Sequence, residues 1–408
     1  MPAMSTMADP AKDQFRLSQL IYDTRYRSMT IQVVAFIGFV AAFAWLINNT
    51  VNNLEALGKD FNFGFLGVRA GYDINQRLIE YSSDSTHLRA TIVGLLNTLL
   101  VAFLGCILAT VIGVVAGVLR LSKNWLTAKL MTVYIESFRN VPVLLWIIAF
   151  FAVLTESTPA PRAFRGDDAT ASMILGDSVA ITNRGTYIPS PVWGDGSMVV
   201  VAVFILSLIG IWWFGRYARA RQDATGDILP TFWIKLGIFF VPSLIVYFIM
   251  GMPITLNYPE LKGFNFTGGL HLRNSLIALW LALSIYTGSF IAENVRAGIL
   301  AISKGQTEAA YALGLRPSRT MNLVILPQAL RVIIPPLISQ YLNLTKNSSL
   351  AIAVGYMDLR STLGGITLNQ TGRELECMLL MMLIYLIVSL LISSAGNFYN
   401  STVKLKER

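Results

Sequence analysis

The stretch 293–336 reads ENVRAGILAISKGQTEAAYALGLRPSRTMNLVILPQALRVIIPP and decides how the chain is organised. It is the longest polar interruption in the C-terminal half, and apolar runs flank it on both sides. Ser303 and Gln306 have the spacing of a capping box, which satisfies the free N–H groups at a helix start. Residues 307–313 favour helix, and Gly314 stands where a left-handed residue would end it. The pattern predicts the first arm of a helical hairpin.

A second helix is predicted to follow the first. Pro317 can open it at its first turn, and Pro327 can stop or kink it. Because apolar runs flank this hairpin, its short helix would lie across the mouth of a membrane bundle, where another protein can bind it. We expect the helix dipole to favour Glu308 at the helix start. Ala309 and Ala310 are small enough to lie flush in a cleft of a partner.

Composition independently indicates a membrane protein. Hydrophobic residues make up 54% of the chain and charged residues only 13%, about half the share that is typical of soluble domains. The excess of basic residues is scattered between apolar runs, so orientation in a bilayer explains it better than nucleic acid does. Cys106 and Cys377 lie in apolar segments, and His87 and His271 stand alone at span edges. We therefore expect a lipid bilayer as partner, and no disulfide, metal, cofactor or nucleic acid.

The apolar runs predict the fold class. Eight runs are long enough to span, at about 30–47, 90–119, 130–154, 197–214, 231–250, 273–292, 332–354 and 376–396. The sequence thus predicts an all-α polytopic membrane protein with about eight transmembrane helices. An even number places both termini on one side, and Lys and Arg concentrate on the side that also holds the stretch 293–336. The positive-inside rule therefore predicts that both termini and this stretch are cytosolic.

A family resemblance adds to these inferences. Glu308-Ala309-Ala310, then Gly314, then 324–327 (Val-Ile-Leu-Pro) has a spacing similar to the EAA loop of membrane subunits of bacterial ABC importers. Four further stretches resemble the polar and general L-amino acid permeases (the histidine, glutamine and general L-amino acid importers): 136–142, 293–299, 305–306 and 344–350. Two residues depart from the family's more frequent Gly-Thr after the arginine, namely Asn140 and Val141.

The resemblance implies a fold, a function and partners. The fold would be the type I ABC importer transmembrane fold, and the chain would be the translocation-pore subunit of an ATP-driven amino-acid importer in a bacterial inner membrane. It implies as partners an ATP-binding-cassette ATPase dimer, a periplasmic amino-acid-binding protein, an L-amino acid substrate and a second permease subunit, for which a paralogue is favoured over a second copy. Coupling to the ATPase would fall to Glu308, Ala309, Ala310, Gly314, Leu326 and Pro327.

The chain is not expected to be an enzyme. It contains no Gly-x-x-x-x-Gly-Lys-Ser/Thr run that could cradle ATP phosphates, so ATP would be bound by the partner subunit. An ion-gradient-driven secondary carrier or channel is the alternative, because such proteins also place charges in broken helices near the middle of the bilayer. That alternative does not need a cytosolic coupling hairpin.

A substrate pathway for a zwitterion needs a cation for the carboxylate and oxygen acceptors for the ammonium group, since neither charge can stay unpaired in low dielectric. The candidates within the predicted spans are Glu136, Arg139, Lys346, Asn347 and Ser348. Glu136 and Arg139 lie three residues apart on one helical face, so they can instead neutralise each other. Lys346 can instead snorkel or pair across the bundle.

The predicted organisation has five parts. Residues 1–88 hold a cytosolic N-terminus, the first transmembrane helix and a periplasmic segment, and 89–154 form the first part of the permease core. Residues 155–272 are an insert with a periplasmic loop and two extra transmembrane helices. The second part of the core, 273–400, carries the EAA-like loop, and 401–408 form a cytosolic tail.

Overall fold

The computed structural model describes residues 21, 24–56, 58, 60–166 and 169–403. Residues 1–20 of the predicted N-terminus and 404–408 of the predicted tail lie outside this described part. The chain divides into two compact units, 1–65 and 66–408. The described part of the first unit contains one long helix, α1 (Thr24–Ala56), and no residue of its most apolar stretch is buried. Its length and hydropathy suit a single membrane crossing.

The second unit holds the other helices. In chain order they are α2 (His87–Arg120), α3 (Trp125–Asn140), α4 (Val143–Glu156), α5 (Ser197–Thr225), α6 (Thr231–Ile249), α7 (Asn274–Leu300), α8 (Lys304–Ala312), α9 (Pro317–Thr320), α10 (Leu326–Asn347), α11 (Leu359–Ser361), α12 (Leu368–Thr371) and α13 (Glu374–Val403). Over the described residues, α1 included, eight helical segments are long and apolar enough to cross a membrane. The predicted all-α polytopic membrane protein with eight spans is confirmed.

Helix α7 is the centre of this bundle. Of its most apolar 18-residue stretch 67% is buried, whereas no residue of the corresponding stretch of α6 is buried. It packs against α2, α3, α4 and α10. Its contact with α2 depends on two glycines: a Cβ on Gly113 would lie 2.5 Å from the Cβ of Ile291, and one on Gly117 would lie 2.6 Å from the carbonyl oxygen of Ala292. Small residues four apart allow this close approach of membrane helices.

The predicted third span, 130–154, is two helices and not one. Val141 has an extended backbone, as expected for a residue that precedes proline, and Pro142 stands at the N-cap of α4. The third span-length apolar segment begins only after this break. Glu136 and Arg139, which were predicted within a span, therefore lie on α3 ahead of it.

Seven short strands, which the sequence did not predict, form a small cap. They are β1 (Ala180–Thr182), β2 (Gly185–Ile188), β3 (Ser190–Trp193), β4 (Ile254–Asn257), β5 (Glu260–Lys262), β6 (Asn265–Thr267) and β7 (Leu270–Arg273). All pairings are antiparallel, in the order β1-β2-β7 with separate β3-β4 and β5-β6 pairs. The loop before α5 supplies β1–β3 and the loop after α6 supplies β4–β7. The two loops of the predicted insert therefore build one structure, called the cap below (residues 157–166, 169–196 and 250–273).

Side-chain contacts tie the cap together. The ring of Tyr187 on β2 stacks on that of His271 on β7, with 4.2 Å between ring centroids. The hydroxyl of Tyr187 donates to Oδ1 of Asn265 on β6 at 2.9 Å. Burial lowers the pKa of His271, the hydrogen bond to the carbonyl of Arg184 opposes this, and the nearby Arg273 charge lowers the pKa further. The cap therefore contains a packed aromatic centre that favours the neutral form of His271.

The cap and the polar hairpin lie at opposite ends of α7. That helix has 27 residues and joins β7 to α8, so it separates the two features by about 40 Å. The two ends are called the cap end and the α8 end below. Helices α5 and α6 pack mainly on each other, with the rings of Phe204 and Phe239 5.3 Å apart, and α6 buries no residue.

Candidate functional site

The first helix of the hairpin, α8, begins as predicted but without the capping box. Ser303 occupies the N-cap position, yet its side chain makes no capping hydrogen bond. The backbone N–H of Gln306 donates to the carbonyl of Ser303 at 3.1 Å. The side chain of Gln306 instead accepts from Nε2 of Gln328 on α10 at 3.4 Å. The glutamine therefore links the two arms of the hairpin, and the capping-box prediction is wrong.

The turn after α8 has the predicted left-handed glycine. Gly314 has φ +74°, and its N–H donates to the carbonyl of Tyr311 at 2.9 Å. The N–H of Leu315 donates to the carbonyl of Ala310 at 3.1 Å, which satisfies another free carbonyl at the helix end. Pro317 is the first residue of α9, as predicted.

Pro327 does not end the second arm. It lies in the first turn of α10, directly after a π-helical turn at Met321–Ile325. Because proline donates no backbone hydrogen bond, an irregular turn ahead of it lets the helix continue. The second arm thus runs from α9 through the π-turn into α10 as one membrane-length segment, Pro317–Val354.

Most of the predicted coupling residues are on the surface of the hairpin. The exposed ones are Glu308, Ala309, Gly314, Leu326 and Pro327. Ala310 is only 3% exposed, so it packs inside the hairpin and Ala309 alone of the pair faces outward. Glu308 lies in the middle of α8, and the first turn contains no acidic residue. The predicted stabilisation of Glu308 by the helix dipole is therefore wrong, because that effect falls off within the first turn.

A charged cluster joins α2, α3 and α7 towards the α8 end. Glu293 on α7 is at its centre, since Nη1 of Arg120 lies 2.5 Å from one carboxylate oxygen and Nη2 of Arg296 lies 2.5 Å from the other. Nη2 of Arg120 also lies 3.4 Å from Oε1 of Glu136 on α3. The side chains of Arg120 and Glu293 are 17% and 24% exposed, so this network is partly shielded from solvent. It brings together the family-like stretches 136–142 and 293–299.

Arg139 lies beside this cluster without pairing with Glu136. Its guanidinium carbon is 5.3 Å from the ring centroid of Phe290 on α7, a cation–π arrangement. Its Nε atom is buried and has no hydrogen-bond partner within the described part of the chain. The alternative in which Glu136 and Arg139 neutralise each other is not observed, because Glu136 pairs with Arg120 on α2 and Arg139 lies over Phe290 on α7.

The remaining pathway candidates lie far from Glu136 and Arg139. Lys346 is exposed and Ser348 is buried, with the Ser348 hydroxyl donating to the carbonyl of Thr345 at 2.7 Å. Ala329 packs at the level of Gly298 near the α8 end, and the 17 residues from there to Lys346 correspond to about 25 Å of helix. Lys346, Asn347 and Ser348 are therefore towards the cap end, and the structure does not bring the two groups together.

A buried polar network near the cap end was not predicted. Asp358 is fully buried, and its Oδ1 accepts from the backbone N–H and from the hydroxyl of Ser361, both at 2.9 Å. The hydroxyl of Tyr385 on α13 donates to Oδ2 at 3.4 Å. Burial raises the pKa of Asp358, and the hydrogen bonds from Ser361 oppose that rise. The same segment is tied to α2, because the hydroxyl of Tyr356 donates to the carbonyl of Asn97 at 3.1 Å.

These unpredicted residues gave weak sequence signals. Arg120 is a basic residue at the end of an apolar run, and its partner Glu293 is 173 positions away. Asp358 is the one acid in the run from 348 to 373, which is the signal that could have identified it. No group of three or more His, Cys, Asp or Glu side chains is placed to hold a metal ion within the ranges that the structure describes.

The fold places the chain in the class of polytopic membrane proteins. Residues 225–403 match the family described as binding-protein-dependent transport system inner membrane component. The chain is 59% identical to the glutamate/glutamine/aspartate/asparagine transport system permease protein BztB of Rhodobacter capsulatus, over 99% of this chain and 100% of that protein. It is 45% identical to the general L-amino acid transport system permease protein AapQ of Rhizobium johnstonii, over 95% of each chain.

The chain therefore belongs to this family. It is a multi-pass inner-membrane permease subunit of a binding-protein-dependent ABC transporter. Membership of this family also confirms the predicted type I importer transmembrane fold. A solved amino acid ABC transporter with histidines is also similar, at 18% identity and a TM-score of 0.44, over 78% of this chain and 95% of that chain.

Proposed function

We propose that the permease carries L-amino acids, in particular the acidic amino acids and their amides. Full-length similarity to a glutamate/glutamine/aspartate/asparagine permease carries this proposal. The general L-amino acid permease at 45% identity supports the wider substrate class. Uptake of radiolabelled L-glutamate into vesicles that contain the assembled transporter tests it. Uptake should require internal ATP, and a failure to carry any amino acid would refute the proposal.

The surface of α8 supports a proposed coupling role. Glu308 and Ala309 are exposed on a short helix that ends at the left-handed Gly314. Leu326 and Pro327 are exposed on the second arm of the same hairpin. We place an ATP-binding-cassette ATPase dimer on this surface, and it alone would bind and hydrolyse ATP. Closure of that dimer would move α8, and with it α7 and the second arm.

Two further partners complete the proposed assembly. A periplasmic amino-acid-binding protein would deliver the substrate, and a second, paralogous permease subunit would form the other half of the pathway. Relatives that occur as pairs support the second permease: glutamate/aspartate import permease proteins GltJ and GltK of Escherichia coli O6:H1 each match part of this chain. Co-purification of the complex, with its subunits identified by mass, distinguishes a heterodimer from a homodimer.

The proposed orientation places α8 and both termini in the cytosol and the cap in the periplasm. A cytosolic α8 would meet the ATPase, and a periplasmic cap would face the binding protein. The side that holds α8 also holds the basic connection between α5 and α6, which agrees with the positive-inside rule.

Cysteine labelling tests this orientation. Leu175 on the cap is 78% exposed and Ile228 between α5 and α6 is 82% exposed, so the two sites are matched in accessibility. In a background with Cys106 and Cys377 replaced by alanine, Leu175→Cys should react with a membrane-impermeant maleimide in intact cells. Ile228→Cys should react only after permeabilisation. Equal labelling of both sites in intact cells would contradict the proposed topology.

Lys346 and Asn347 are proposed to line the substrate pathway, and the buried Ser348, whose hydroxyl donates to the carbonyl of Thr345, is proposed to support them. Lys346 is exposed in this subunit and has no ion pair among the described residues, so its ammonium group is available to a substrate carboxylate. Glu136 is paired with Arg120, and Arg139 lies over Phe290, so the charge of each of these two earlier candidates already has a partner within this subunit. We retain Arg139 as the alternative cation of the pathway.

Two charge-neutralising substitutions separate these candidates. Lys346→Gln should lower the rate of L-glutamate uptake at least about tenfold, because a hydrogen bond to a charged group contributes roughly 1.5–3 kcal/mol. Arg139→Gln also removes one positive charge, but near the α8 end of α7, and should lower the uptake rate less than Lys346→Gln does. Both complexes should keep basal ATP hydrolysis, whereas stimulation by loaded binding protein should fall for Lys346→Gln. If Arg139→Gln lowers L-glutamate uptake more than Lys346→Gln does, Arg139 and not Lys346 is the cation of the pathway.

A further inference from the structure

A cavity of about 180 Å³ lies where the cap meets the bundle. It is lined by the last turn of α4, the turn between β1 and β2, the start of α7 and the loop at Val354 and Gly355. Two of the lining residues, Arg184 and Arg273, are basic, and no acidic residue lines the cavity in the described part of the chain. The cavity therefore favours an anionic group.

Two buried polar atoms of the cavity residues lack partners. Nε of Arg273 and Oδ1 of Asn183 are buried and make no hydrogen bond to any residue that the structure describes. A buried polar group without a partner costs about 1–3 kcal/mol. Nε of Arg273 is a cationic donor, and Oδ1 of Asn183 is a neutral acceptor. A ligand that forms a hydrogen bond with each of them must carry an acceptor, best an anionic one, and a separate donor.

The turn that presents Asn183 is held in place from several sides. The backbone N–H of Asn183 donates to the carbonyl of Pro159 at 3.0 Å. Nε2 of His271 donates to the carbonyl of Arg184 at 3.1 Å. Gly185 has φ +145°, and a Cβ there would lie 2.5 Å from Nε2 of His271, so only glycine fits. A site fixed in this way loses little further freedom when a ligand binds.

The floor of the cavity is fixed by α7. Arg273 is the N-cap residue of that helix, and helix N-termini favour negative charge. Nδ2 of Asn274 donates to the carbonyls of Thr182 and Leu154, at 3.3 and 3.4 Å. These bonds connect the cap to the ends of α4 and α7. The cavity is thus part of the junction between cap and bundle.

We propose that this cavity, called the cap site below, binds the charged backbone of an α-amino acid on its way to the pathway. Both side chains would turn these buried polar atoms into the cavity, so that the Arg273 guanidinium receives the carboxylate and Oδ1 of Asn183 accepts from the ammonium group. The loop at Val354 and Gly355 ends the segment that starts at Ser348, so an amino acid in the cap site would be one short segment from the proposed pathway residues. The proposal rests on amino-acid transport as the proposed function.

Equilibrium binding tests the cap site. The whole permease–ATPase complex, in lipid nanodiscs and without binding protein, should bind radiolabelled L-glutamate. Arg273→Gln and, independently, Asn183→Ala should each weaken this binding about tenfold, roughly 1.4 kcal/mol. The matched control is Lys262→Gln, which removes a charge from the same cap at a side chain that is 69% exposed and paired with Glu260. That control should leave the affinity unchanged.

Competitors identify the ligand class. Glutarate, which lacks the ammonium group, should compete about tenfold more weakly than L-glutamate, and inorganic phosphate and glycerophosphoethanolamine should compete weakly. Absence of L-glutamate binding, or equal affinities in Asn183→Ala and Lys262→Gln, would overturn the cap site. Phosphate or the lipid headgroup competing as well as L-glutamate would overturn the amino-acid assignment.

A parallel transport assay separates this proposal from the proposed function. Wild-type complex with its binding protein is tested for ATP-driven uptake of each L-amino acid, L-glutamate included. If uptake occurs but binding is insensitive to both cavity substitutions, the cap site alone fails. If uptake of every amino acid is absent, the proposed function fails with it.

Discussion

Gly113→Val is expected to remove the folded subunit from the membrane. The Cβ of the new side chain would lie 2.5 Å from the Cβ of Ile291 and 2.9 Å from the carbonyl oxygen of Gly288. The second contact is with the backbone of the central helix α7, which cannot move without disturbing its packing on α4 and α10. Overpacking of this kind costs up to about 3 kcal/mol, occasionally more. The measurements are the amount of inserted subunit by immunoblot and the Tm of purified protein.

The control is a glycine in a span that is not packed. Gly237 lies within α6, and a Cβ there would meet no atom within 4 Å. Gly237→Val should therefore leave both insertion and Tm close to wild type. An unchanged Tm for Gly113→Val would show that α2 and α7 are not in close contact in the membrane, and would refute the packing described here.

Features of the chain that are local in sequence could be predicted well. The eight apolar runs specify membrane crossings because a bilayer demands a minimum length of apolar helix. Gly314 and Pro317 adopt the predicted turn and helix start because their backbone preferences act within a few residues. Such preferences do not depend on which segments meet in space.

Features that depend on distant partners could not be predicted. Arg120 had no local sign that it would pair with Glu293. Strand β2 pairs with β7 across the whole α5–α6 hairpin, and strands of three or four residues carry little periodicity. The cap site is a consequence of that pairing, since Asn183 comes from one loop and Arg273 from the other.

The prediction for α8 contains one error that helical periodicity could have prevented. Consecutive residues on a helix point in different directions, about 100° apart. The sequence interpretation nevertheless placed both Ala309 and Ala310 in a partner's cleft. In the structure Ala309 is exposed and Ala310 is buried. The two alanines therefore have different expected roles: Ala310 allows the hairpin to close, and Ala309 allows another surface to come close.

Ala309→Asp is expected to abolish transport while the subunit remains inserted. Ala309 is exposed on α8, so a carboxylate is tolerated there as long as water surrounds it. In a complex the same carboxylate would be buried against the proposed ATPase. An unpaired buried charge destabilises by about 3–5 kcal/mol, which corresponds to a loss of affinity of more than about 100-fold. The measurements are co-purification of the ATPase, its stimulation by loaded binding protein, and uptake.

Gly314→Val tests the same surface through the backbone. Gly314 has φ +74° and nothing within 4 Å of its missing Cβ, and the same is true of Gly226, at φ +77° after α5. A valine is strained at either position because of the backbone alone, so Gly226→Val is a matched control on the same side of the proposed topology. Only Gly314→Val should displace α8 and lose stimulated ATP hydrolysis. If both variants lose it, backbone strain in general and not the α8 surface governs coupling. If neither loses it, the conformation of α8 does not matter for coupling. Either result contradicts the role proposed for the hairpin.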